Sequence, residues 1–148
     1  MPPPASCSAK PPVFHAIRLK PGDDLLLALR DWTLGNQIPA AAVLTCVGSL
    51  REAHIRLANR DSGSCFHQKM EILALSGTLS PNGPHLHLCL ADSDGRTVGG
   101  HMLEGCRVFT TAEIVIAVLP GLSFRRALDE ATGYRELVIG GDEVADPE

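Results

Sequence analysis

Three histidines are spaced so that they could bind one metal ion. His85 and His87 stand two residues apart in a segment that alternates between polar and apolar side chains, as a β-strand does. Because successive side chains of a strand point to opposite faces, both imidazoles lie on the same face. His101 follows a turn, and Gly99 and Gly100 before it would let the backbone approach closely. Three histidine nitrogens with an open fourth position form a catalytic zinc site, where bound water ionises near neutral pH.

The spacing alone leaves a second interpretation open. Two histidines on the solvent face of an edge strand would give the same pattern. Imidazole also accepts nickel, copper and iron, so the pattern favours zinc without excluding other divalent transition metals. Cys89 continues the face of His85 and His87, and it is either a soft fourth ligand or a free cysteine in the core.

Glu71 and a pair of arginines are further candidates. Glu71 interrupts an apolar strand, so its carboxylate must be paired, line a cavity or face an edge. Beside a metal-bound water it would be a catalytic general acid or base, and otherwise it is a structural partner of Lys69 or an arginine. Arg125 and Arg126 form the only adjacent basic pair, which either binds an anionic ligand or is solvated.

The elements that must position these residues are mostly strands. Apolar runs and alternating patterns predict strands over residues 13–19, 42–47, 52–57, 70–79, 85–91, 108–119 and 136–139. Residues 92–95 form a hairpin connection, and residues 124–131 could form a helical turn.

One helix is predicted at about residues 23–34. Asp23 or Asp24 can cap its first turn, and Leu25, Leu29 and Trp32 form one apolar stripe. Gly35 is expected to supply the left-handed residue that ends it. The fold class is therefore α+β, with this helix packed on a mostly antiparallel sheet.

The composition predicts one domain and limits the function classes. We expect a flexible proline-rich tail at 1–12, a single domain at 13–141 and a flexible acidic tail at 142–148. The net charge of −4 disfavours a protein whose main partner is the DNA backbone. No apolar run approaches the roughly 20 residues of a membrane-spanning helix, and we see no secretory signal. Five scattered cysteines predict reduced thiols in a cytoplasmic protein.

Several segments together resemble the PPC (plant and prokaryote conserved) domain. Residues 70–79 resemble the family's Phe-Glu-Ile-Leu-Ser-Leu-Ser-Gly segment, with Met70 in place of the aromatic residue. The His-Leu-His at 85–87 and the Asp-Gly-Arg-Thr-Val-Gly-Gly-His at 94–101 are also similar to it. So are the alanines at 40–42 leading to Gly-Ser-Leu at 48–50, and the start at 18–25. The resemblance spans roughly residues 14–140.

The resemblance implies an α+β domain that associates as a homotrimer. Bacterial-type members carry the two histidine segments, and their fold is similar to that of acetolactate decarboxylases, where such histidines bind zinc. Carried over, His85, His87 and His101 match the metal ligands, and Glu71 matches the family's acidic residue. The other catalytic residues of a decarboxylase do not align with this chain, so that particular reaction is not implied.

Three functions follow from the residues and the resemblance. The first is a trimeric zinc protein that binds or transforms a small oxyanionic molecule, as a hydrolase or a lyase. The second is a DNA-binding or transcription-associated protein, as family members are often labelled. In plants the domain follows an AT-hook, but this sequence contains no AT-hook and is acidic. The third is a non-catalytic assembly module in which a metal only holds two strands together.

Overall fold

The computed structural model describes residues 6–141, which form nine strands and one helix. In chain order these are β1 (Val13–Leu19), α1 (Leu25–Gly35), β2 (Ala41–Arg56), β3 (Ser64–Phe66), β4 (Met70–Leu79), β5 (His85–Ala91), β6 (Thr97–Met102), β7 (Arg107–Val118), β8 (Leu122–Leu128) and β9 (Arg135–Gly141). The predicted tail at 142–148 and the first five residues of the tail at 1–12 lie outside the described residues. Within 6–141, no helix is long and apolar enough to cross a membrane.

Seven of the strands form one antiparallel sheet. Six of them follow the order β1-β7-β2-β4-β5-β6, while β3 pairs with β2. The end of β2 also pairs with β6, so β2, β4, β5 and β6 close into a ring. The predicted α+β class, with one helix on a mostly antiparallel sheet, is confirmed.

The long strand β2 makes this closure possible. The sequence predicts two strands at 42–47 and 52–57, whereas β2 runs through both of them as one strand of 16 residues. Its pairing with β7 shifts register three times between Val43 and Glu52. Such irregularities bend a strand and increase its twist. The first part of β2 therefore pairs with β4 and β7, and its last residues reach β6 and β3.

The core lies inside the ring and beneath the helix. The alternation of β5 places Leu86, Leu88 and Leu90 in the core, and the side chains between them face outwards. All five cysteines are free. Cys46 and Cys106 are buried, and desolvation raises the pKa of each thiol to about 11. Both therefore stay protonated at neutral pH, as expected for thiols that fill core space.

The helix begins as the sequence predicts and ends differently. The Asp24 carboxylate accepts hydrogen bonds from the backbone N–H groups of Leu26 and Leu27, both at 3.1 Å. Leu25 and Leu29 are buried on the inner face. The expectation that Gly35 is the left-handed residue is wrong. Gly35 is the last helical residue, and the positive φ of 53° belongs to Gln37.

The predicted helical turn at 124–131 is also wrong. Residues Leu122–Leu128 form β8, which pairs with β9 in a separate two-stranded sheet. Leu122 and Phe124, two residues apart, pack with Ala40 in a small second cluster. Phe124 and Leu128 also have the four-residue spacing of a helix, so the local pattern suits both structures. The pairing with β9 stabilises the strand conformation in the folded protein.

Candidate metal centre

The three predicted histidines lie together on the outer face of the ring. Each offers a ring nitrogen, and these nitrogens are all within 4.8 Å of one another. The ring centroid of His85 is 5.2 Å from that of His87 and also 5.2 Å from that of His101. The centroids of His87 and His101 are 5.8 Å apart. His87 and His101 are register partners on β5 and β6, and His85 lies two residues earlier on β5.

The hairpin between β5 and β6 sets this register. The Asp92 carboxylate accepts hydrogen bonds from the N–H groups of Asp94 and Arg96, both at 2.9 Å, which holds the turn closed. On the other side of β6, Gly100 packs directly against β2. A Cβ atom on Gly100 would lie 2.5 Å from the Arg56 carbonyl oxygen and 2.8 Å from Ile55 Cγ2. The close approach expected at this glycine therefore occurs, and it brings His101 beside Arg56.

Two of the three imidazoles are held neutral by their surroundings. His85 and His101 are half-buried, and His87 is exposed. Desolvation lowers the pKa of His85, and the charges of Arg126 and His87 lower it further. Desolvation also lowers the pKa of His101, followed by the charge of Arg56. Neutral imidazole is the form that binds a metal, so this environment favours the ligand state.

The donor set fits a tetrahedral zinc ion after small side-chain rotations. Two nitrogens bound tetrahedrally at about 2.1 Å from zinc are about 3.4 Å apart, so the observed spacing needs only a modest contraction. Within the described residues the group consists of the three histidines, and Cys89, although on the same strand, is not part of it. A metal held by these three side chains would keep a position open to a further ligand.

The histidines lie at the wall of a cleft of about 610 Å³. His85 and His101 line it, together with four arginines and two carboxylates, namely Arg56, Arg60, Arg126, Arg135, Asp61 and Glu136. A second hollow of about 350 Å³ shares His85, Arg126 and Glu136 and adds His87. The cluster is therefore accessible from two sides, and the larger side has an excess of positive charge.

Arg126 brings the hairpin of β8 and β9 to the histidines. Its backbone N–H donates to Asn82 Oδ1 at 3.0 Å, and its guanidinium donates to Thr78 Oγ1, also at 3.0 Å. Thr78 is the register partner of His85, so this contact fixes the guanidinium next to the cluster. Arg125 is exposed. Of the predicted basic pair, Arg126 faces the site.

The structure places Glu71 away from the histidines of its own chain. Its register partner on β5 is Ala91, four residues beyond His87, and a strand rises about 3.3 Å per residue. The separation is therefore about 13 Å along the sheet. Glu71 is also exposed.

Arg56 and Glu136 belong to the site, and the sequence did not single them out. Arg56 lies on the polar face of an alternating segment, which is a signal only for solvent exposure. The pairing of Arg56 with His101 requires the contact between β2 and β6, whose partners are 45 residues apart in the chain. No local pattern could have shown it.

These observations define a closed antiparallel α+β domain with a three-histidine site on its outer face. The chain matches the Plants and Prokaryotes Conserved (PCC) domain over residues 8–120. It therefore belongs to the PCC family, the domain abbreviated PPC above.

Solved structures of several relatives share this fold. A hypothetical protein from Salmonella cholerae-suis (Salmonella enterica) is 38% identical and superimposes with a TM-score of 0.88, over 91% of this chain and 97% of that one. A metal-containing protein from Archaeoglobus fulgidus is 27% identical with a TM-score of 0.80, over 90% of this chain and 99% of that one. A protein from Bacteroides thetaiotaomicron, provisionally named a DNA-binding protein, shares the fold at 20% identity and a TM-score of 0.73, over 84% of this chain and 91% of that one.

Longer proteins contain a similar segment. The bifunctional protein GlmU of a Synechococcus strain is 47% identical to this chain over 126 residues. These residues are 85% of this chain, and the chain spans about a fifth (20%) of the length of that protein.

Proposed function

We propose that this chain is a homotrimeric metalloprotein in which His85, His87 and His101 hold a zinc ion that binds or transforms a small oxyanionic molecule. The observation that carries the proposal is the convergence of three imidazole nitrogens within 4.8 Å at the wall of an arginine-rich cleft. The metal-containing relative from Archaeoglobus fulgidus adds support.

Each residue of the site has a distinct part. The three histidines would bind the metal, and their lowered pKa values keep His85 and His101 ready to do so at neutral pH. A zinc ion there would supply Lewis acidity and acidify a bound water, which suits a hydrolase or a lyase. Glu71 is the proposed acid or base. Because it lies about 13 Å from His87 in its own chain, this role requires Glu71 of another copy in the homotrimer.

Metal stoichiometry tests the proposal. We expect about one zinc per chain by elemental mass spectrometry of protein purified without an affinity tag. Replacing one of three ligands removes most of the affinity, so His87→Ala should lose the metal. His67→Ala is the matched control, because His67 is exposed and lies outside the cluster. An unchanged zinc content in His87→Ala would show that the assignment is wrong.

DNA binding is a second candidate function. The four arginines of the cleft and the name given to the Bacteroides thetaiotaomicron relative favour it, against the net charge of −4. Contacts between arginines and phosphates predict a complex that weakens as salt increases. A gel-shift experiment at low salt with excess protein would exclude this function if no complex forms.

The third candidate is an assembly module in which the metal only holds β5 and β6 together. That function predicts a metal whose coordination is completed by protein atoms. A water on the metal that exchanges with solvent, detected by relaxation of a paramagnetic substitute, would exclude it.

A further inference from the structure

We propose that Arg56 and Arg126 form an anion-binding subsite that takes the carboxylate or phosphate group of a small organic molecule beside the histidine cluster. This inference deepens the proposed function and rests on it for the role of the histidines. It assigns the specificity for the oxyanion to two particular side chains.

Arg56 is a cation without a partner among the residues that the structure describes. It is half-buried and makes no ion pair or side-chain hydrogen bond with any residue in the range 6–141. Residues directly opposite on antiparallel strands place their side chains on the same face, so Arg56 points to the same side as His101. Arg56 also lines the cleft of about 610 Å³, together with His85 and His101. Its guanidinium is therefore available to a ligand in that cleft.

Arg126 approaches from the other side of the cluster. The histidine strands β5 and β6 lie between β4 and the end of β2. Arg56 is on β2, whereas Arg126 is tied to Thr78 on β4. That bond uses only one N–H donor of the guanidinium, so its other N–H groups remain available to a ligand. The Thr78 contact also removes side-chain freedom before any ligand binds.

Charge and size together identify the class of ligand. The cleft holds four guanidinium groups and two carboxylates, in a chain whose net charge is −4. A guanidinium binds carboxylate and phosphate through two parallel hydrogen bonds, which an ammonium group cannot provide. The volume of about 610 Å³ lies in the range of small-molecule sites. It exceeds what an inorganic ion needs, so the cleft has room for an organic molecule that carries the anionic group.

The test uses inorganic phosphate, malonate and glycerol 3-phosphate as probes. Each is titrated calorimetrically into metal-free and into zinc-loaded protein. We expect at least one probe to bind to the wild type, and Arg56→Gln and Arg126→Gln each to weaken that binding at least tenfold. Arg125→Gln is the matched control, since Arg125 is exposed and lines neither the cleft nor the second hollow. We expect less than a twofold change for this control. Arg56→Lys keeps the positive charge but not the paired N–H donors of the guanidinium. It should therefore recover only part of the affinity that Arg56→Gln loses.

The outcomes separate this inference from the proposed function. If zinc binds stoichiometrically but Arg56→Gln leaves the affinity for every probe unchanged, the subsite is wrong and the metal centre stands. If zinc does not bind but the metal-free protein binds a probe through Arg56, the subsite stands and the metal centre is wrong. The subsite is also overturned if no probe binds at millimolar concentration. A DNA duplex that binds more tightly than all three probes, and depends on Arg56, would assign the arginines to nucleic acid instead.

Discussion

A histidine that is partly removed from water and faces cations holds its proton less tightly than a free one, and both His85 and His101 are in this position. The usual pKa of the side chain is 6.5, and both values are lowered, first by desolvation and then by charge. Arg56 and Arg126 therefore have two effects at the site. Their charges add to the desolvation that lowers the pKa of His85 and His101, and in our proposal they bind the anion.

These lowered pKa values predict how the stability of the metal-free protein depends on pH. The unfolded chain takes up protons at these two histidines below about pH 6.5, before the folded chain does. Above about pH 6.5 these two histidines should therefore leave the free energy of unfolding unchanged. As the pH drops from there towards the lowered pKa values of the folded chain, the free energy of unfolding should fall. Thermal unfolding of metal-free protein between pH 7.5 and 5 measures this. The His85→Gln/His101→Gln double variant is the control, and its melting temperature should depend less steeply on pH. The same pH dependence as in the wild type would contradict the prediction.

Among the elements, β6 depends on a single small residue for its contact with β2. It pairs with β5 on one side and with the end of β2 on the other, and Gly100 faces the Arg56 carbonyl at the second contact. A side chain at this position must push β6 away from β2. The movement would also carry His101 away from its two partners.

Gly100→Ala should therefore destabilise the protein by about 1–3 kcal/mol, as expected for overpacking, and weaken metal binding as well. Chemical denaturation and metal titration measure the two effects. Gly35→Ala is the matched control: its Cβ would meet no atom within 4 Å, and it lies at the end of a helix, where alanine is favoured. A Gly100→Ala variant with the stability and zinc affinity of the wild type would show that β6 does not need this close approach.

At the scale of the whole molecule, the outer face of the sheet carries exposed apolar side chains. Leu44, Val47 and Leu73 are each more than half exposed, at 54%, 57% and 54%. Val47 precedes Gly48 and Leu73 follows its register partner Ile72, so the two side chains lie across from each other on β2 and β4. Ser76, further along β4, is the register partner of His87. The apolar face thus leads to the histidine cluster, and contiguous exposed apolar surface of this kind is typical of an interface.

The proposed homotrimer predicts that a charge on this face dissociates the assembly. Leu73→Lys would bury a charge without a partner between copies, so we expect a smaller species in sedimentation velocity experiments. Leu128→Lys is the control, because Leu128 is 69% exposed at the end of β8, away from β2 and β4. A wild-type chain that sediments as a monomer, or a Leu73→Lys variant that remains a trimer, would contradict the prediction.

Local patterns were sufficient for the parts of this protein that depend on neighbouring residues. The period of two placed His85 and His87 on one face and gave the strand at 85–91 the bounds that β5 has. The pair Asp23 and Asp24 marked the start of the helix, because a cap acts on the backbone groups next to it, and the structure assigns the cap to Asp24. The apolar stripe of Leu25 and Leu29 marked its buried face.

The tertiary structure decided everything that depends on pairing between distant segments. The continuity of β2, the strand conformation of β8 and the position of Arg56 beside His101 all depend on partners far away in the chain. The distance of Glu71 from the cluster is decided in the same way, by the register between β4 and β5. Register between such segments is set by bulges, turns and the closure of the ring, and a window of sequence contains only one side of each pairing. The sequence by itself therefore determined which side chains could bind a metal, and only the folded sheet determined what surrounds them.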